Sequence, residues 1–476
     1  MTDILTPDIC VIGGGSGGLS VAAAAAAFGV PVVLIEKGKM GGDCLNAGCV
    51  PSKALIAAAR RAHEARTGGA FGVNARTIDI AYDRIHRRIH DVIAAIAPND
   101  SAARFTALGV KVLPVEARFV DGRTVVAGGR WLVKARRFVI ATGSTPAIPP
   151  IPGLDKTPYL TNETIFDVKE CPSHLIVIGA GPVGLELAQA YRRLGAEVTV
   201  LEAATPLARE DPECAQTVLD QLRREGINLR TGARIVRAAR REDGGVKITL
   251  EFGQEGEVIE GSHLLVAAGR KATVGGLDLD KAGIEVGPSG ILVNRHLRTT
   301  NRRVYAIGDV AGGLQFTHLA NYHAGLVVRN ALFRLPVAVN DDIVPRVTFT
   351  DPELAHVGLT EADARQRHRE IRIQRWPFHD NDRAQTEGET RGHIKVVTTR
   401  RGRILGATIV GARAGELLAM WSLAIYRNVN IRALAGVVLP YPTRAEAGKR
   451  AAIEFFTSRL TSPLLPRIIA LLRRLG

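Results

Sequence analysis

The segment "DICVIGGGSGGLSVAAAAAAFGVPVVLIEK" (residues 8–37) combines an apolar strand, a glycine-rich loop, an Ala/Leu-rich helix and a second strand that ends at Glu36. The segment "HLIVIGAGPVGLELAQAYRRLGAEVTVLEA" (residues 174–203) repeats this order, and in both the first glycine precedes the closing glutamate by 23 residues. A single glycine motif is weak evidence, whereas two complete βαβ units with equal spacing are strong evidence. Such glycines let the backbone approach a pyrophosphate, which the helix N-terminus then holds. The sequence therefore predicts two Rossmann-like dinucleotide-binding domains in one chain.

Glu202 closes the second unit, and its carboxylate bears on which nicotinamide cofactor binds there. A carboxylate at this position favours the free 2′-hydroxyl of NAD(H) and repels the 2′-phosphate of NADP(H). Ala203 and Ala204 supply no arginine for that phosphate, and Arg209 is the only nearby cation in the sequence. We therefore expect NAD(H), with NADP(H) as the alternative.

The segment "GGDCLNAGCVPSK" (residues 41–53) places Cys44 and Cys49 five positions apart in a chain that has five cysteines. In a regular α-helix their Cα atoms would lie about 8.7 Å apart, whereas a disulfide needs about 4.4–6.8 Å. The surrounding glycines tolerate unusual dihedral angles and Pro51 interrupts helical hydrogen bonding, so we expect a helix start that bends around a reversible disulfide. A metal site is the weaker interpretation because no further Cys or His pair lies nearby at ligand spacing, and we expect no metal.

The composition limits the class of protein. The chain has 476 residues, of which 46% are hydrophobic, a net charge of +15 and a pI near 10. This length predicts about three domains, and no basic stretch is interleaved with aromatic residues as in nucleic-acid-binding proteins. The chain lacks a run of 18 apolar residues, and its start, "MTDILTPD", is acidic where a signal peptide is basic. We expect a cytoplasmic protein that binds no nucleic acid.

Three further segments fit an enzyme that binds two nucleotides. "RRFVIATGSTP" (136–146) and "LLVAAGR" (264–270) are strands that end in turns of small residues, which allow close nucleotide contact. "RRVYAIGDVAGGLQFTHLA" (302–320) is a strand that ends at Asp309, which is suited to ribityl or pyrophosphate groups, and Thr317 is expected against a flavin ring.

The motifs CLNAGCVPSK, the paired glycine loops, ATG and YAIGD occur here in an order that resembles the FAD-dependent pyridine nucleotide–disulfide oxidoreductases. This family includes glutathione reductase, dihydrolipoamide dehydrogenase and mercuric reductase. The resemblance implies a homodimer in which NAD(P)H reduces FAD and reduced flavin passes electrons to the disulfide. It implies that Cys49 is the flavin-proximal thiolate and Cys44 the interchange thiol. It also implies that Lys53 lies near flavin N5 and pairs with Glu186.

The glycine loops and the resemblance together predict the residues that bind FAD and NAD(H). They are Gly13, Gly15, Ser16, Gly18, Glu36, Lys37, Asp43, Lys53, Ala117, Thr142, Gly143, Ser144, Gly308, Asp309, Thr317, Gly179, Gly181, Gly184, Glu202, Gly269 and Arg270.

The predicted fold class is α/β, with two Rossmann-like dinucleotide-binding domains and a C-terminal α+β dimerisation domain. From Val344 onward the sequence alternates apolar and polar residues as antiparallel strands do. The expected segments are FAD-binding (1–155), NAD(P)H-binding (156–275), FAD-binding again (276–343), dimerisation (344–460) and a basic amphipathic tail (461–476).

The tail carries a helical pattern of apolar residues that starts at Pro466. Ile468, Leu471, Leu472 and Leu475 recur at helical spacing, with Arg467 and Arg474 beside them. Packing against the protein's own dimer is the preferred interpretation, and contact with an anionic membrane surface is the alternative.

One departure from the family bears on the reaction. Most disulfide reductases of the family carry a His-Pro-Thr…Glu motif whose His serves the thiols as acid and base. This chain reads "LPYPTRAEAGKRAA", so Tyr441 takes the position of the His and Glu446 that of the Glu. Mercuric reductases also have a Tyr here, but they end in a cysteine pair, and this chain has no cysteine after Cys214.

The sequence therefore predicts an NAD(P)H-dependent flavoprotein oxidoreductase of the mercuric reductase-like branch that reduces a small-molecule or small-thiol acceptor. A dihydrolipoamide dehydrogenase-like enzyme is the first alternative, and a non-enzymatic flavin redox sensor is the second.

Overall fold

The structure is a computed structural model that describes residues 3–251, 256–457 and 464–474. Its contacts divide the chain into two compact units. The N-terminal unit comprises Met1–Ala204 and Asn228–Val339, and the C-terminal unit comprises Thr205–Ile227 and Asn340–Gly476. The five finer segment boundaries remain predictions.

The N-terminal unit contains most of the strands. They are β1 (Asp3–Leu5), β2 (Ile9–Ile12), β3 (Val32–Ile35), β4 (Lys111–Leu113), β5 (Ala117–Asp121), β6 (Thr124–Ala127), β7 (Trp131–Val133), β8 (Arg137–Ile140), β9 (Ser144–Pro146), β10 (His174–Ile178), β11 (Glu197–Glu202), β12 (Asn228–Thr231), β13 (Ile235–Arg240), β14 (Val246–Leu250), β15 (Glu257–Gly261), β16 (His263–Val266), β17 (Arg270–Ala272), β18 (Val286–Gly287), β19 (Gly290–Ile291) and β20 (Val304–Ala306). Its helices are α1 (Ser16–Ala27), α2 (Gly42–Asn46), α3 (Cys49–Thr67), α4 (Tyr82–Ile96), α5 (Ala102–Ala107), α6 (Pro182–Leu194) and α8 (Thr317–Phe333).

Two parallel sheets form around the repeated βαβ units. The first has the strand order β20-β8-β2-β3-β4 and the second the order β12-β11-β10-β16. Residues of β2 and β3 are buried along their whole length, as expected for strands covered on both faces. The chain order reverses beside β2 and again beside β10, and ligands of open α/β sheets bind at such switch points, beyond the carboxyl ends of the strands. This confirms the two predicted dinucleotide-binding folds.

The elements of the C-terminal unit are β21 (Arg346–Thr348), β22 (Glu353–Gly358), β23 (Ile371–Pro377), β24 (His393–Thr399), β25 (Ile404–Gly411), α7 (Pro212–Arg224), α9 (Glu361–Arg367), α10 (Asp382–Thr386), α11 (Ala414–Tyr426), α12 (Ile431–Gly436), α13 (Glu446–Glu454) and α14 (Leu464–Leu472). Its strands form one antiparallel sheet with the order β21-β22-β25-β24-β23. Helices α11 and α13 pack on this sheet around the buried side chains of Trp421, Phe378 and Phe455. This confirms the predicted α+β architecture.

Helix α14 corresponds to the predicted tail helix, but it begins at Leu464 rather than at Pro466. A proline fits within the first turn of a helix because the N–H groups of that turn have no intrahelical partner. Leu475 of the predicted apolar pattern lies outside the described residues. Across the described ranges, no helix is both long enough and apolar enough to cross a membrane.

Candidate active site

The first glycine of each nucleotide loop adopts a backbone conformation that requires glycine. Gly13 has φ +112°, and a Cβ atom there would lie 2.3 Å from the carbonyl oxygen of Ala141. Gly179 has φ +107°, and its Cβ atom would lie 2.4 Å from the carbonyl oxygen of Ala267. The first position of each loop is therefore constrained in the same way and has no room for a side chain.

The remaining glycines of the loops let each helix start close to its strand. A Cβ atom on Gly18 would lie 1.9 Å from the Gly13 oxygen, and one on Gly184 would lie 2.1 Å from the Gly179 oxygen. Gly15 and Gly181 are the N-cap residues of α1 and α6, and neither helix has a side-chain cap within the described part of the chain. Helix N-termini of this kind offer N–H groups to phosphates. The two loops therefore fit the pyrophosphates of two dinucleotides.

Glu36 and Glu202 hold equivalent positions after the second strand of each unit. The Glu36 carboxylate accepts hydrogen bonds from the N–H of Gly14 at 2.5 Å and of Gly38 at 2.6 Å. The Glu202 carboxylate accepts from the N–H of Ala180 at 2.7 Å and of Ala204 at 2.8 Å. The backbone thus orients each carboxylate beside its glycine loop, where an adenosine ribose would lie. Lys37 follows Glu36 and is exposed.

The helix break between the paired cysteines is confirmed. Cys44 lies in α2, which ends at Asn46, and Cys49 is the first residue of α3. Between them Ala47 (φ −146°, ψ 2°) and Gly48 (φ −123°, ψ −109°) leave the helical conformation. Because Pro51 then falls in the first turn of α3, its missing N–H costs no hydrogen bond. The structure holds both cysteines as thiols.

The two thiols differ in acidity. The pKa of Cys49 is lowered to about 6, chiefly by the hydrogen bond from Cys44 and further by Thr317 and the positive charge of Lys53. The Cys49 sulfur lies 3.5 Å from the hydroxyl oxygen of Thr317, the first residue of α8. The pKa of Cys44 is raised by its hydrogen bond to Cys49 and by burial. The negative charge of the pair therefore resides on Cys49 near neutral pH.

Lys53 and Glu186 meet as the sequence predicts. The Lys53 ammonium lies 2.7 Å from the Glu186 carboxylate, and Glu186 is buried in α6. Buried charged groups in proteins are normally paired, and Lys53 is the partner of Glu186. The pair therefore joins α3, which carries Cys49, to the helix of the second nucleotide loop.

Arg270 connects several of the predicted cofactor residues. Its guanidinium donates to the hydroxyl and the carbonyl oxygen of Ser144 at 2.7 and 2.8 Å, and it lies 3.4 Å from Asp43. The Ser144 hydroxyl donates in turn to Asp309 at 2.5 Å. Burial raises the pKa of Asp309.

Asn162 is a central residue that the sequence reasoning missed. Its side-chain N–H group donates to Asp43 at 3.0 Å and to the carbonyl oxygen of Ala47 at 3.2 Å, and its oxygen accepts from Arg270 at 3.2 Å. Asn162 therefore ties the backbone of the cysteine turn to the network of Arg270. The segment TNET offers no signal for this, because Asn occurs in many loops.

The other predicted cofactor residues lie at turns or in the core of the N-terminal unit. Thr142 donates to the carbonyl oxygen of Thr273 at 2.7 Å, and Ala117 is buried at the start of β5. Ser16 is the first residue of α1. Positive φ angles occur at Gly143 (+68°), Gly269 (+118°) and Gly308 (+66°).

Tyr441 and Glu446 belong to the C-terminal unit. The Tyr441 hydroxyl donates to the Asp382 carboxylate at 2.8 Å, and its side chain is 70% exposed. This hydrogen bond raises the pKa of Tyr441 above its ordinary value. Glu446 begins α13, and its carboxylate accepts a long hydrogen bond, 3.5 Å, from the Thr443 N–H.

Within residues 3–251, 256–457 and 464–474, no group of three His, Cys, Asp or Glu side chains is arranged to hold a metal ion.

Family comparisons agree with this geometry. The family described as "Pyridine nucleotide-disulphide oxidoreductase" matches residues 7–324, and its "dimerisation domain" matches residues 344–452. The chain belongs to this family. Family members use FAD and NAD(P)H, and the chain is an NAD(P)H-dependent flavoprotein oxidoreductase with a dimerisation domain. The predicted family, fold, cofactors and enzyme class are therefore confirmed.

Several relatives resemble the chain over nearly its whole length. A mercuric reductase of Bacillus cereus is 36% identical over 94% of this chain and 71% of the relative. A dihydrolipoyl dehydrogenase of Pseudomonas aeruginosa is 35% identical over 94% of this chain and 97% of the relative. The solved Cu(II) complex of the HOCl-induced flavoprotein disulfide reductase RclA from Escherichia coli is 27% identical, with a TM-score of 0.83 over 93% of this chain and 98% of that protein.

Proposed function

We propose that this oxidoreductase transfers electrons from NADH through FAD and the Cys44–Cys49 pair to a soft metal ion such as Hg(II), or to a small electrophile. When bound, FAD supplies the two-electron link between nicotinamide and sulfur. The observation that carries the proposal is the Tyr441 hydroxyl, which stands where disulfide reductases of the family have a His and which donates to Asp382.

In this proposal the two cysteines have different roles. Cys49 serves as the flavin-side thiolate, which its low pKa and its contact with Thr317 support. Cys44 meets the acceptor, and Lys53 lies near the flavin while Glu186 holds the lysine in place. Asp309, Ser144 and the glycine loops bind the nucleotides.

The nature of residue 441 separates the candidate acceptors. A disulfide acceptor releases a thiolate that needs a proton, and a His with a pKa of about 6.5 exchanges protons readily at neutral pH. The hydrogen bond to Asp382 raises the pKa of Tyr441 above its ordinary value, so the phenol stays protonated at neutral pH, where it cannot accept a proton readily, and it is a weaker acid than an ordinary tyrosine. Thiolates bind a soft metal ion directly and need no such proton. The relatives named mercuric reductases support the same acceptor class.

The decisive experiment measures NADH oxidation with Hg(II)–thiol complexes, lipoamide, glutathione disulfide and quinones. Hg(II) complexes or quinones should give the highest kcat/KM. Tyr441→Phe should lower turnover with that acceptor and leave flavin reduction by NADH unchanged, whereas Tyr441→His should raise disulfide reduction. Wild-type turnover of lipoamide or glutathione disulfide at about 10 s⁻¹ or more, typical of enzymes, would reject the proposal in favour of a dihydrolipoamide dehydrogenase. No turnover with any acceptor would favour a redox sensor.

We also propose a homodimer in which the active site is shared across the interface, so that Tyr441 and Glu446 of one subunit complete the active site of the other. The C-terminal unit of the single chain exposes large apolar side chains that a partner subunit would cover: Leu423, Tyr426, Val438, Tyr441 and Ile453.

We propose that the protein acts in the cytoplasm, because this reducing compartment suits a thiol pair that must be reduced in each cycle.

A further inference from the structure

Asp382 is the hydrogen-bond acceptor of the Tyr441 hydroxyl, at 2.8 Å, and the sequence reasoning assigned it no role. It is the first residue of α10, and neighbouring contacts fix this helix to the loop of Tyr441. The Asn381 amide donates to the carbonyl oxygen of Thr443 at 3.0 Å, and Arg444 is buried against Glu387 and Glu389. Contacts on both sides of α10, made by Asn381 before it and by Glu387 and Glu389 after it, therefore hold this helix against the loop of Tyr441.

The hydrogen bond limits what the phenol can offer to a substrate. A tyrosine hydroxyl has one proton to donate and lone pairs that accept. Because the proton of Tyr441 is directed at Asp382, its oxygen presents only lone pairs in other directions. The acidic side chains near the phenol, Asp382 and Glu446, add negative charge. The site therefore suits an acceptor that is cationic or that carries a hydrogen-bond donor.

We propose that Asp382 is a positioning residue that determines acceptor specificity, because it holds the Tyr441 hydroxyl as a hydrogen-bond acceptor and so favours cationic acceptors over disulfides. The inference rests on the proposed function, in which Tyr441 faces the electron acceptor.

The chemistry of disulfide reduction explains the discrimination. When Cys44 attacks a substrate disulfide, its proton passes to the Cys49 thiolate, a new S–S bond forms between Cys44 and one substrate sulfur, the substrate S–S bond breaks, and the leaving sulfur departs with the electron pair as a thiolate. Protonation of this thiolate by Tyr441 would break the bond to Asp382 and leave a phenolate beside a carboxylate. A soft metal cation held by the cysteine sulfurs would instead be reduced by two electrons that NAD(P)H supplies through the reduced flavin, and this reduction releases no substrate thiolate that needs a proton.

Asp382→Asn in the full-length holoenzyme tests the proposal. We expect kcat/KM for Hg(II) supplied as its aqueous cation, divided by kcat/KM for lipoamide, to fall about threefold to fivefold, the scale of an exposed charged pair. Asp380→Asn is the matched control, because it removes the same charge from a neighbouring residue whose ion-pair partner is His379, and it should keep the wild-type ratio. An unchanged ratio in Asp382→Asn, or an equal fall in Asp380→Asn, overturns the proposal.

Two further measurements separate specificity from loss of structure. Asp382→Asn should lower the pH at which Tyr441 ionises, measured by phenolate absorbance after subtraction of the Tyr441→Phe titration. In the Tyr441→Phe background, Asp382→Asn should leave the acceptor ratio unchanged. An unaltered phenol titration, or a further change of the ratio without the phenol, contradicts the inference.

The two proposals can fail separately. If the wild type prefers disulfides but Asp382→Asn still shifts the ratio through Tyr441, the proposed acceptor is wrong and the role of Asp382 stands. If the wild type prefers metal ions and Asp382→Asn behaves as the wild type, only the role of Asp382 is wrong.

Discussion

Cys49 and Cys44 are chemically the same side chain, and their surroundings give them different roles. Cys49 starts a helix, contacts Thr317 and lies within the field of Lys53, all of which favour its thiolate. Cys44 donates a hydrogen bond to Cys49 and stays protonated. An activated thiolate at a helix N-terminus beside a cation is typical of redox cysteines.

The first prediction concerns the spectrum of the reduced enzyme. Two-electron reduction should produce long-wavelength charge-transfer absorbance between the Cys49 thiolate and the flavin. Cys49→Ser should abolish this band, whereas Cys44→Ser should show it without reductant. The reverse pattern would exchange the two roles.

The same band should depend on pH. Because the pKa of Cys49 is lowered to about 6 from the ordinary thiol range, the thiolate is present above pH 6 and is lost as the pH falls through this value. The band of Cys44→Ala should titrate at a higher pH than that of the wild type, because alanine removes the hydrogen bond from Cys44, which is the largest contribution to the lowered pKa. A band that persists unchanged well below pH 6 would contradict this origin.

The choice of nicotinamide cofactor is also a prediction at the residue scale. NADH should have a higher kcat/KM than NADPH, and Glu202→Ala should narrow the difference, because the carboxylate no longer repels the 2′-phosphate. Glu36→Ala, at the equivalent position of the first βαβ unit, is the matched control and should leave the ratio of kcat/KM for NADH to kcat/KM for NADPH unchanged. A strong preference of the wild type for NADPH would indicate that a cation such as Arg209 dominates.

At the scale of elements, the break between α2 and α3 is the feature on which the cysteine pair depends. Glycines permit the break, but the contacts of Asn162 to Asp43 and to the Ala47 carbonyl hold it in one conformation. Asn162 is itself held by Arg270, which also binds Ser144. The redox turn and the nucleotide-binding turns thus share one hydrogen-bonded network.

Substitution of Asn162 tests this network. Asn162→Ala should lower the free energy of unfolding by about 1–3 kcal/mol, because buried polar partners lose their hydrogen bonds, and it should weaken the charge-transfer band. Asn162→Asp should be worse, since it places a second carboxylate beside Asp43. Thermal unfolding and absorbance spectra measure both effects, and wild-type values for Asn162→Ala would show that the glycines alone hold the turn.

At the scale of the whole molecule, the exposed apolar surface of the C-terminal unit contrasts with its buried core. The dimerisation domain of the family spans residues 344–452, which include four of the five exposed apolar side chains that we assign to the partner contact. Helix α14 adds Ile468, Ile469, Leu471 and Leu472, whose side chains are all about half exposed. A helix this short is marginal in isolation and needs a partner surface.

We therefore expect the tail to pack against the dimer and to stabilise it. Removal of residues 463–476 should weaken the dimer in sedimentation velocity experiments and leave pelleting with anionic liposomes at the level of neutral liposomes. Full-length protein that pellets with anionic liposomes, and loses this on truncation, would instead establish the membrane contact.

The repeated βαβ units, the cysteine pair and the glycine turns were predictable from the sequence because each depends on local spacing or on a backbone angle that one residue type allows. Gly13 and Gly179, for example, have positive φ angles that only glycine adopts readily, so the residue type itself indicates the turn. The partners of the site were not predictable. Asn162 and Asp43 are hydrogen-bonded although 119 positions separate them in the sequence, and Tyr441 and Asp382 although 59 positions separate them. Contacts between loops that are distant in the sequence leave no periodic pattern in it. Tertiary structure alone decided them, because a hydrogen bond depends on where the folded sheets place two loops and not on the distance between them along the chain.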